Sequence, residues 1–432
     1  MLALILCVGI GLSIATGMWQ IRKLPVALKY FLSILRKDSN NGRSGYRALC
    51  NALAATVGTG NLGGVAGAIT IGGPGAVFWM WVSGIIGMMI KFAEIALAMQ
   101  YRQRGSNGYY IGGPMYIIQN ALPVKFHFLA CLYCFFGTVA VFGIGNTTQI
   151  SAIIDAVDSA IPGAGSHSNL MLHLMIGLLI AVFVHRVFSN DMNVIGRITE
   201  VIIPISACLY VLLSLGLLIV NYSQIPNALL MIIKGAFSPR AVTGGIVGSF
   251  FVTMRIGTSR GVFTNEAGMG TASIAHSESN VDNPIHQGYM GIVEVFLDTI
   301  VICSLTALVI LCSGISIPYG TDQGATLTLQ AFSCVYGNWI NYLMSAIITM
   351  LAFATILGWG LYGQRCAQYL FGDNIRSKFA LLQAMAVILG AVMNTSTVWL
   401  VSELVNALMA IPNLIALFYL SPQIIEIVKT HR

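Results

Sequence analysis

The sequence predicts an all-α membrane protein with eleven transmembrane helices, and three observations support this fold class. Of the 432 residues, 56% are hydrophobic and only 9% are charged, whereas a soluble domain carries about 25% charged residues. Eleven apolar windows are long enough to cross a bilayer as helices. Two of these windows are interrupted by several glycines, and they lie at matching places in the two halves of the chain.

The apolar windows set the order of the predicted elements. The first begins at Met1 but lacks the basic segment and the cleavage site of a signal peptide, so we expect it to remain as a membrane helix. No linker between windows is long enough to hold a soluble domain. In chain order the windows cover residues 2–18, 49–71, 76–99, 127–155, 170–188, 198–220, 241–275, 285–313, 339–362, 379–393 and 399–420.

The segment after the first window, residues 19–47, is basic and begins with an amphipathic stretch. Charged side chains fall on one side of that stretch and apolar ones on the other, which is typical of a helix lying along the membrane surface. An ordinary basic loop is the alternative. Residues 1–48 are therefore predicted to form an N-terminal membrane helix and a cytoplasmic linker.

The distribution of Lys and Arg predicts the side of the membrane that each loop faces, because these residues concentrate in cytoplasmic loops. With the N-terminus outside, 17 of the 22 basic residues fall in cytoplasmic loops, and only Lys234 and Arg240 fall in outside loops. The C-terminus is then cytoplasmic. Since the basic residues are scattered through short loops, we expect no nucleic-acid partner despite the net charge of +7.

The ten windows that follow the first helix divide into five in residues 49–220 and five in residues 221–432. An odd number in each half means that the second half crosses the membrane in the opposite sense. Each half opens with a glycine-interrupted window. The sequence therefore predicts a 5+5 inverted-repeat core with two discontinuous helices.

The first interrupted window, 51–71, has five glycines in its middle. An unpaired backbone group in hydrocarbon costs several kcal/mol, whereas the ends of two half-helices suit a carboxylate and a cation. Close packing of helices through the glycines is the alternative. The Gly-x-Gly-x-x-Gly pattern does not indicate a dinucleotide site, because no strand precedes it. The residues expected to bind a substrate here are Thr56, Gly58, Thr59 and Gly60.

The second interrupted window has the same character over residues 250–275. Two such helices at matching positions indicate the central site of a transporter, and Gly261 and Phe263 are candidates for substrate binding. Charges at membrane depth usually face an aqueous path or one another. Arg255, Arg260 and Glu266 are therefore predicted to gate access or bind substrate, with a salt bridge near a helix end as the alternative.

Other charged residues lie inside apolar windows. Glu294 and Asp298 are four residues apart on one helix face, and they are predicted to act in coupling or gating, by binding a cation or a proton, or to pair with nearby arginines. Lys91 and Glu94 lie near a helix end. We interpret them as a mutual pair in which Lys91 extends towards the interface, with a functional role as the alternative.

The last candidate site residues are uncharged polar residues in the middle of apolar windows. Asn146 and Gln149 are suited to hydrogen-bond a zwitterion, and bonds between helices are the alternative. Thr355 and Trp359 lie one helical turn apart and would give a small pocket a hydroxyl and an aromatic wall, with packing as the alternative for Trp359. An enzyme is not expected, because no metal-binding histidine spacing and no serine–histidine–aspartate set can be assembled.

The segments just described closely resemble the alanine/glycine:cation symporter family. The resemblance covers nearly the whole chain from about Ile14, and it implies an eleven-helix protein whose core is the ten-helix inverted repeat of the leucine-transporter type. The matching segments are NALAATVGTGNLGGVAGAI, GGPGAVFWMWVSGIIGMMIKFAEIALAMQYR, GTSRGVFTNEAGMGTASIAH, FLDTIVICSLTALVI and FATILGWGLYGQR.

The resemblance also implies where the ligands lie. The substrate would sit between the two broken helices, with Gln149, Thr355 and Trp359 lining its pocket. A sodium ion would sit near the carbonyls of Ala54 and Val57 and near Thr355.

We therefore expect a secondary active transporter that carries small neutral amino acids, alanine and glycine above all, together with sodium by alternating access. Proton-coupled amino-acid symport is the first alternative. An ion or solute channel is the second, although a channel does not require two inverted halves with matching breaks. The short loops favour the plasma membrane of a bacterium or archaeon.

Overall fold

The computed structural model of the chain describes residues 1–36, 40–105, 108–161, 170–189, 193–238, 243, 249–321, 323–393 and 396–431. The regular structure of these residues is helical apart from one antiparallel pair of two-residue strands, β1 (Gln103–Arg104) and β2 (Tyr110–Ile111). The predicted all-α class is confirmed. Of the positions used above, Lys37, Arg240, Arg432 and residues 241, 242 and 244–248 of the seventh window lie outside the described residues.

The N-terminal region forms two helices that meet at a sharp bend. Helix α1 (Leu2–Ala15) and helix α2 (Trp19–Arg36) are bent by 80°. The side chain of Trp19 at the bend is fully buried and stacks on Tyr289 at 6.5 Å between ring centroids. A helix that turns this far from the preceding one suits the predicted course along the membrane surface.

The first interrupted window folds as a broken helix, which we call broken helix 1. It consists of α3 (Asn40–Thr56), a π-helical segment Gly60–Gly64 and α4 (Val65–Gly72), with a bend of 50° at the break. Helix α5 (Ala76–Tyr101) follows, and 89% of its most apolar stretch is buried. α5 is therefore a central helix of the bundle.

The second interrupted window is also broken in the structure, and we call it broken helix 2. It consists of α12 (Phe250–Asn265) and α13 (Thr271–Ser277), numbered in the chain order given below. Gly257 and Gly261 let α12 approach α5 closely, because a methyl group at either position would clash with α5. The glycines of this helix therefore serve packing as well as the break.

The remaining helices complete the bundle. α17 is a single 32-residue helix, and π-helical segments at Val141–Thr147 and Phe296–Cys303 join α7 to α8 and α14 to α15. The bounds are α6 Pro114–Ala121, α7 Phe128–Ala140, α8 Thr148–Ala160, α9 Leu170–Ser189, α10 Asn193–Val220, α11 Ile225–Phe237, α14 Pro284–Val295, α15 Ser304–Cys312, α16 Gly324–Tyr336, α17 Ile340–Phe371, α18 Arg376–Gly390, α19 Ser396–Tyr419 and α20 Ser421–Lys429, with 3₁₀ turns at Val124–Phe126, Tyr222–Gln224 and Asp373–Ile375.

Peripheral helices carry apolar side chains on their outer faces. In α9 only 22% of the most apolar stretch is buried, and Leu178, Leu179 and Phe183 are each more than half exposed. Such a face fits lipid rather than water.

The number of membrane crossings agrees with the prediction only in part. Every predicted window falls on a helix or a pair of consecutive helices. By length and composition, seven helices among the described residues are suited to cross a membrane, or nine if each bent pair is one span. The count of eleven stays a prediction. Helices α11 and α16 were not predicted, because each is only 13 residues long and lies between windows.

Candidate functional site

The breaks of both discontinuous helices meet at a small cavity near the centre of the bundle. Its volume is about 20 Å³, which is room for about one water molecule. Broken helix 1, broken helix 2, the α7–α8 region and α17 all contribute to it. The lining residues are Ala55, Thr56, Gly58, Thr59, Gly60, Ile144, Gln149, Phe263, Thr264, Glu266, Thr355 and Trp359.

The first break is held open by the side chain of Asn61. In a continuous α-helix the Gly58 N–H would point at the Ala54 carbonyl, but here it donates to Asn61 Oδ1 at 2.9 Å. The Asn61 N–H donates to the Gly58 carbonyl at 3.2 Å rather than to that of Val57. The break therefore releases the carbonyls of Ala54 and Val57 from their helical partners.

The other end of the Asn61 amide is bound to Asp298. Asn61 Nδ2 donates to Asp298 Oδ1 at 2.6 Å, and Thr299 Oγ1 donates to Asp298 Oδ2 at 2.8 Å. Asp298 lies in the π-helical segment Phe296–Cys303 and is fully buried. Asn265 of broken helix 2 donates to Thr299 Oγ1 at 3.2 Å. One chain of hydrogen bonds thus joins both breaks to a third helix.

Thr355 approaches the first break from α17. Its hydroxyl donates to the Leu351 carbonyl at 3.0 Å, which leaves oxygen lone pairs for another group. A methyl group on Gly58 would lie 2.7 Å from Thr355 Oγ1. Only glycine permits this approach, so the hydroxyl lies beside the backbone at Gly58, the residue that follows Val57.

Gln149 connects the α7–α8 region to the first break. Thr59 Oγ1 donates to Gln149 Oε1 at 3.1 Å, and Gln149 Nε2 donates to the Ile144 carbonyl at 3.0 Å. The predicted Gln149 therefore lines the cavity, but its amide already bonds two protein groups. A ligand would bind Gln149 either by displacing one of these two protein groups or by accepting a hydrogen bond from the second N–H of the Gln149 amide.

A wider cavity of about 660 Å³ adjoins the small one. Thr59, Gly60 and Phe263 line both cavities and so form the boundary between them. The wider cavity reaches Ser159 and Gln323, which lie between windows in stretches predicted to be outside the membrane. Across it, Arg260 Nη1 lies 3.7 Å from Glu403 Oε1 of α19. Of the predicted gating residues, Arg260 is thus placed at the entrance.

The second break is built around two buried carboxylates. Glu266 ends α12 in a left-handed conformation with φ 54°, and its Oε2 accepts from Thr271 Oγ1 at 2.6 Å. Glu94 Oε1 accepts from the Gly270 N–H at 3.1 Å and from Asn413 Nδ2 at 2.7 Å. α5 and α19 therefore hold the ends of this break.

The interpretation of Lys91 and Glu94 as a mutual pair near the interface is wrong. Lys91 is fully buried and its Nζ lies 2.9 Å from Glu294 Oε1. The other oxygen of Glu294 lies 3.3 Å from His276 Nε2, so Glu294 pairs with a lysine and a histidine rather than with an arginine. The residues sit on α5, α13 and α14, and their ion pair links broken helix 2 to its neighbours.

Hydrogen bonds and an ion pair close the opposite end of the bundle. Arg102 donates to the carbonyls of Ser279 at 2.5 Å and Val281 at 3.0 Å, just after broken helix 2. Arg365 of α17 donates to Glu278 Oε1 at 2.7 Å. This end is the one predicted to be cytoplasmic.

Seven predicted residues line neither cavity, and they are Ala54, Val57, Asn146, Arg255, Gly261, Glu294 and Asp298. Asn146 is fully buried outside the lining, Gly261 packs on α5, and the side chain of Arg255 is exposed. Two residues that our prediction omitted, Asn61 and Thr264, are part of the breaks. Asn61 could have been found as the one amide among the glycines of its window.

The sequence of the chain is similar to the sequences of known transporters. A sequence profile of the Sodium:alanine symporter family matches residues 1–432. The chain is 38% identical to the Sodium/alanine symporter AgcS of Methanococcus maripaludis, over 99% of this chain and 93% of the relative. It is 32% identical to the Probable sodium/glutamine symporter GlnT of Bacillus subtilis, over 100% of this chain and 87% of the relative.

The fold also resembles a solved structure. The crystal structure of MhsT in complex with L-phenylalanine is similar with a TM-score of 0.57 at 15% sequence identity, covering 89% of this chain and 97% of that chain. This likeness concerns the fold alone. It confirms a core of the leucine-transporter type with discontinuous helices.

Proposed function

This chain belongs to the sodium:alanine symporter family, and from that premise we propose that it carries alanine and glycine together with sodium. It is a membrane transporter of amino acids rather than an enzyme. The observation that carries the choice of substrate is the lining of the small cavity where the two breaks meet, because large side chains crowd it. Since one relative is named for glutamine, family membership alone does not select the side chain.

The walls of the cavity favour the smallest amino acids. Ile144, Phe263 and Trp359 are large side chains that face the little space there is. An amino acid enters only if these walls move apart, and each additional methylene of substrate requires more movement in a close-packed interior. The substrate carboxylate would meet the N-terminal end of the second half of broken helix 1, where the helix dipole is positive.

We place the sodium ion at the carbonyls of Ala54 and Val57 and the hydroxyl of Thr355. The support is the hydrogen bonding of Asn61, which releases both carbonyls at the place where Thr355 comes closest. Carbonyl and hydroxyl oxygens are suitable ligands for a hard cation. No side-chain charge is needed at this site, so bound sodium would stabilise the broken form of the helix.

Transport would proceed by alternating access. The wide cavity and the paired opposite end correspond to a state that faces outward, with Phe263, Thr59 and Gly60 above the small cavity. Binding of sodium and substrate would draw broken helix 2 inward, and release would require Arg102 and Arg365 to leave their partners. Moving one positive charge down the membrane potential supplies about 2.3 kcal/mol per 100 mV.

We assign the protein to the plasma membrane of a bacterium or archaeon, with the N-terminus outside and the C-terminus in the cytoplasm. The support is the bias of basic residues in the loops. The wide cavity then opens to the outside, where an importer meets its substrate.

Uptake by purified protein in liposomes tests this function. Labelled alanine and glycine are supplied with an inward sodium gradient, with an inward proton gradient, or with neither. We expect accumulation only with sodium. Equilibration without accumulation under every gradient would contradict coupled transport and favour a channel.

Proton-coupled amino-acid symport is a second candidate function, and Asp298 is the observation that favours it. This buried carboxylate lies within hydrogen-bonding distance of the first break through Asn61. If protons are the coupling ion, replacing Glu294 and Asp298 by their amides should abolish uptake driven by a proton gradient. Sodium-driven uptake that persists in the double variant would assign both residues to gating or positioning instead.

A further inference from the structure

Glu266 occupies a backbone position that side chains usually avoid. It lies between α12 and α13 with φ 54° and ψ 20°, in the left-handed region that favours glycine. A residue other than glycine is strained in this region and persists there only when its surroundings hold it. Two glycines, Gly268 and Gly270, stand within four residues of this position, so the helix end itself does not require a glutamate.

The Glu266 carboxylate belongs to the small cavity. It is 97% buried yet lines that cavity beside Trp359 and Thr355. One oxygen, Oε2, accepts from the hydroxyl of Thr271 at 2.6 Å, and the carboxylate also accepts a hydrogen bond from the side chain of Trp359, so both of its donors are neutral groups. It faces the site across from the first break, where we have placed the substrate carboxylate.

The charge of Glu266 has no cationic partner within 4 Å in the described part of the chain. The neighbouring Lys91 is bound to Glu294 at 2.9 Å, and Glu94 has its own donors in Asn413 and the Gly270 N–H. A buried carboxylate is stable only when it is paired or well hydrogen-bonded. The proposed sodium site at Ala54, Val57 and Thr355 does not supply its cation, since those ligands lie on the first break.

We propose that Glu266 binds the α-ammonium group of the substrate, so that the site takes compounds with an ammonium group next to a carboxylate and rejects their hydroxy acid counterparts. This inference rests on the proposed function and adds a specificity-determining residue to it. The two helix breaks then have opposite tasks, since the first meets the substrate carboxylate and the second meets the ammonium group. A zwitterion fits in one orientation only.

Binding measurements on the purified full-length protein in sodium buffer test the proposal. Labelled L-alanine is displaced either by unlabelled L-alanine or by (S)-2-hydroxypropanoate, in which a hydroxyl replaces the ammonium group. The ratio of the two inhibition constants is the readout. In the wild type the hydroxy acid should bind at least about tenfold more weakly, because an unpaired charged group loses a charge-assisted hydrogen bond.

In Glu266→Gln the affinity for alanine should fall by about ten- to a hundredfold, while that for the hydroxy acid stays or improves, so the ratio approaches one. Glu94→Gln is the matched control, because Glu94 is an equally buried carboxylate at the same break that does not line the cavity. That variant should keep the wild-type ratio whatever its yield.

The assignment of Glu266 to the ammonium group would be overturned by an unchanged ratio of inhibition constants in Glu266→Gln. An equal fall of that ratio in Glu94→Gln would also overturn it. If Glu266→Gln does not fold, Glu266→Asp decides, since it keeps the charge but withdraws it by one methylene. The ratio of inhibition constants for Glu266→Asp must fall between those expected for the wild type and for Glu266→Gln. A ratio equal to that of the wild type would overturn the proposal. A wild type that binds neither alanine nor glycine would instead show that the proposed function itself has failed.

Discussion

At the scale of single residues, Asn61 shows what a sequence pattern leaves open. Its position among glycines is visible in the sequence, but its partner Asp298 is 237 residues away. Helical periodicity places Asp298 on a face of its helix without telling which other helix that face meets. The glycines, Thr355 and Trp359 could be predicted because their spacing is local, whereas the pairing of Asn61 depends on the packing of three helices.

Gly58 provides the test of the proposed sodium site at this scale. In Gly58→Ala the new methyl would lie 2.7 Å from Thr355 Oγ1, and overpacking of this kind costs about 1–3 kcal/mol. The sodium concentration for half-maximal alanine uptake should then rise by roughly five- to a hundredfold. Gly60→Ala is the comparison, because its methyl meets its nearest neighbour at 3.7 Å. Equal effects of the two substitutions would contradict the placement of the ion.

At the scale of elements, the helices were predictable and their irregular turns were not. The apolar windows located each long helix because lipid and protein interior both demand apolar residues over a spanning length. The π-helical turns at Val141–Thr147 and Phe296–Cys303 leave no such signal, since one inserted residue does not change the composition. Such a turn shifts the faces of a helix, so Asn146 lies outside the cavity lining while Gln149 reaches it.

The buried Lys91–Glu294 pair was also misjudged from the sequence. A lysine near the end of an apolar window usually extends to the interface, but residues 87–99 of α5 are all buried, and Lys91 has no exposed surface. Its charge must therefore be matched inside the protein. The sequence shows the charges and not the depth at which they lie.

Removing this lysine tests whether the pair holds broken helix 2 in place. Lys91→Met leaves Glu294 buried beside His276 without its ammonium partner, which costs about 3–5 kcal/mol in a buried pair. The purified variant should unfold in detergent at a clearly lower temperature than the wild type. Unfolding is measured by size-exclusion chromatography of heated samples. Arg47→Gln is the control, because the Arg47–Glu200 pair is partly exposed, at 31% and 12%, and such pairs contribute about 0–1 kcal/mol. A similar loss in both variants would speak against a special role for the buried pair.

At the scale of the whole molecule, the sidedness of the bundle connects the sequence to the direction of transport. The loop charges predict the orientation and the structure places the wide cavity at the end predicted to be outside. With the predicted orientation, the open side of this conformation would face the outside, as the proposed import of substrate requires.

Reporter fusions test that orientation. A green fluorescent protein at the C-terminus should fluoresce, and alkaline phosphatase fused at the same place should be inactive, because the C-terminus is expected in the cytoplasm. Phosphatase fused after Asn221, in a loop expected outside, should be active. The reverse pattern at either position would invert the topology, and the wide cavity would then face the cytoplasm.

The closed end of the bundle yields the last prediction, since alternating access requires that it open when the wide cavity closes. The contact to break is Arg365–Glu278, in which the two side chains are only 16% and 20% exposed and link α17 to the segment after broken helix 2. Glu278→Gln weakens it by about 1 kcal/mol, which shifts the ratio of inward-open to outward-open molecules roughly fivefold towards the inward-open form. A cysteine placed at Thr56 should then react faster with a thiol reagent applied from the C-terminal side, and sodium-driven accumulation should fall. Asp158→Asn, which removes the Asp158–His173 contact at the other end of the bundle, should leave that reactivity unchanged. An unchanged rate in Glu278→Gln would mean that this ion pair is not part of the gate, and Arg102 with its carbonyl partners would remain as the contact that keeps this end shut.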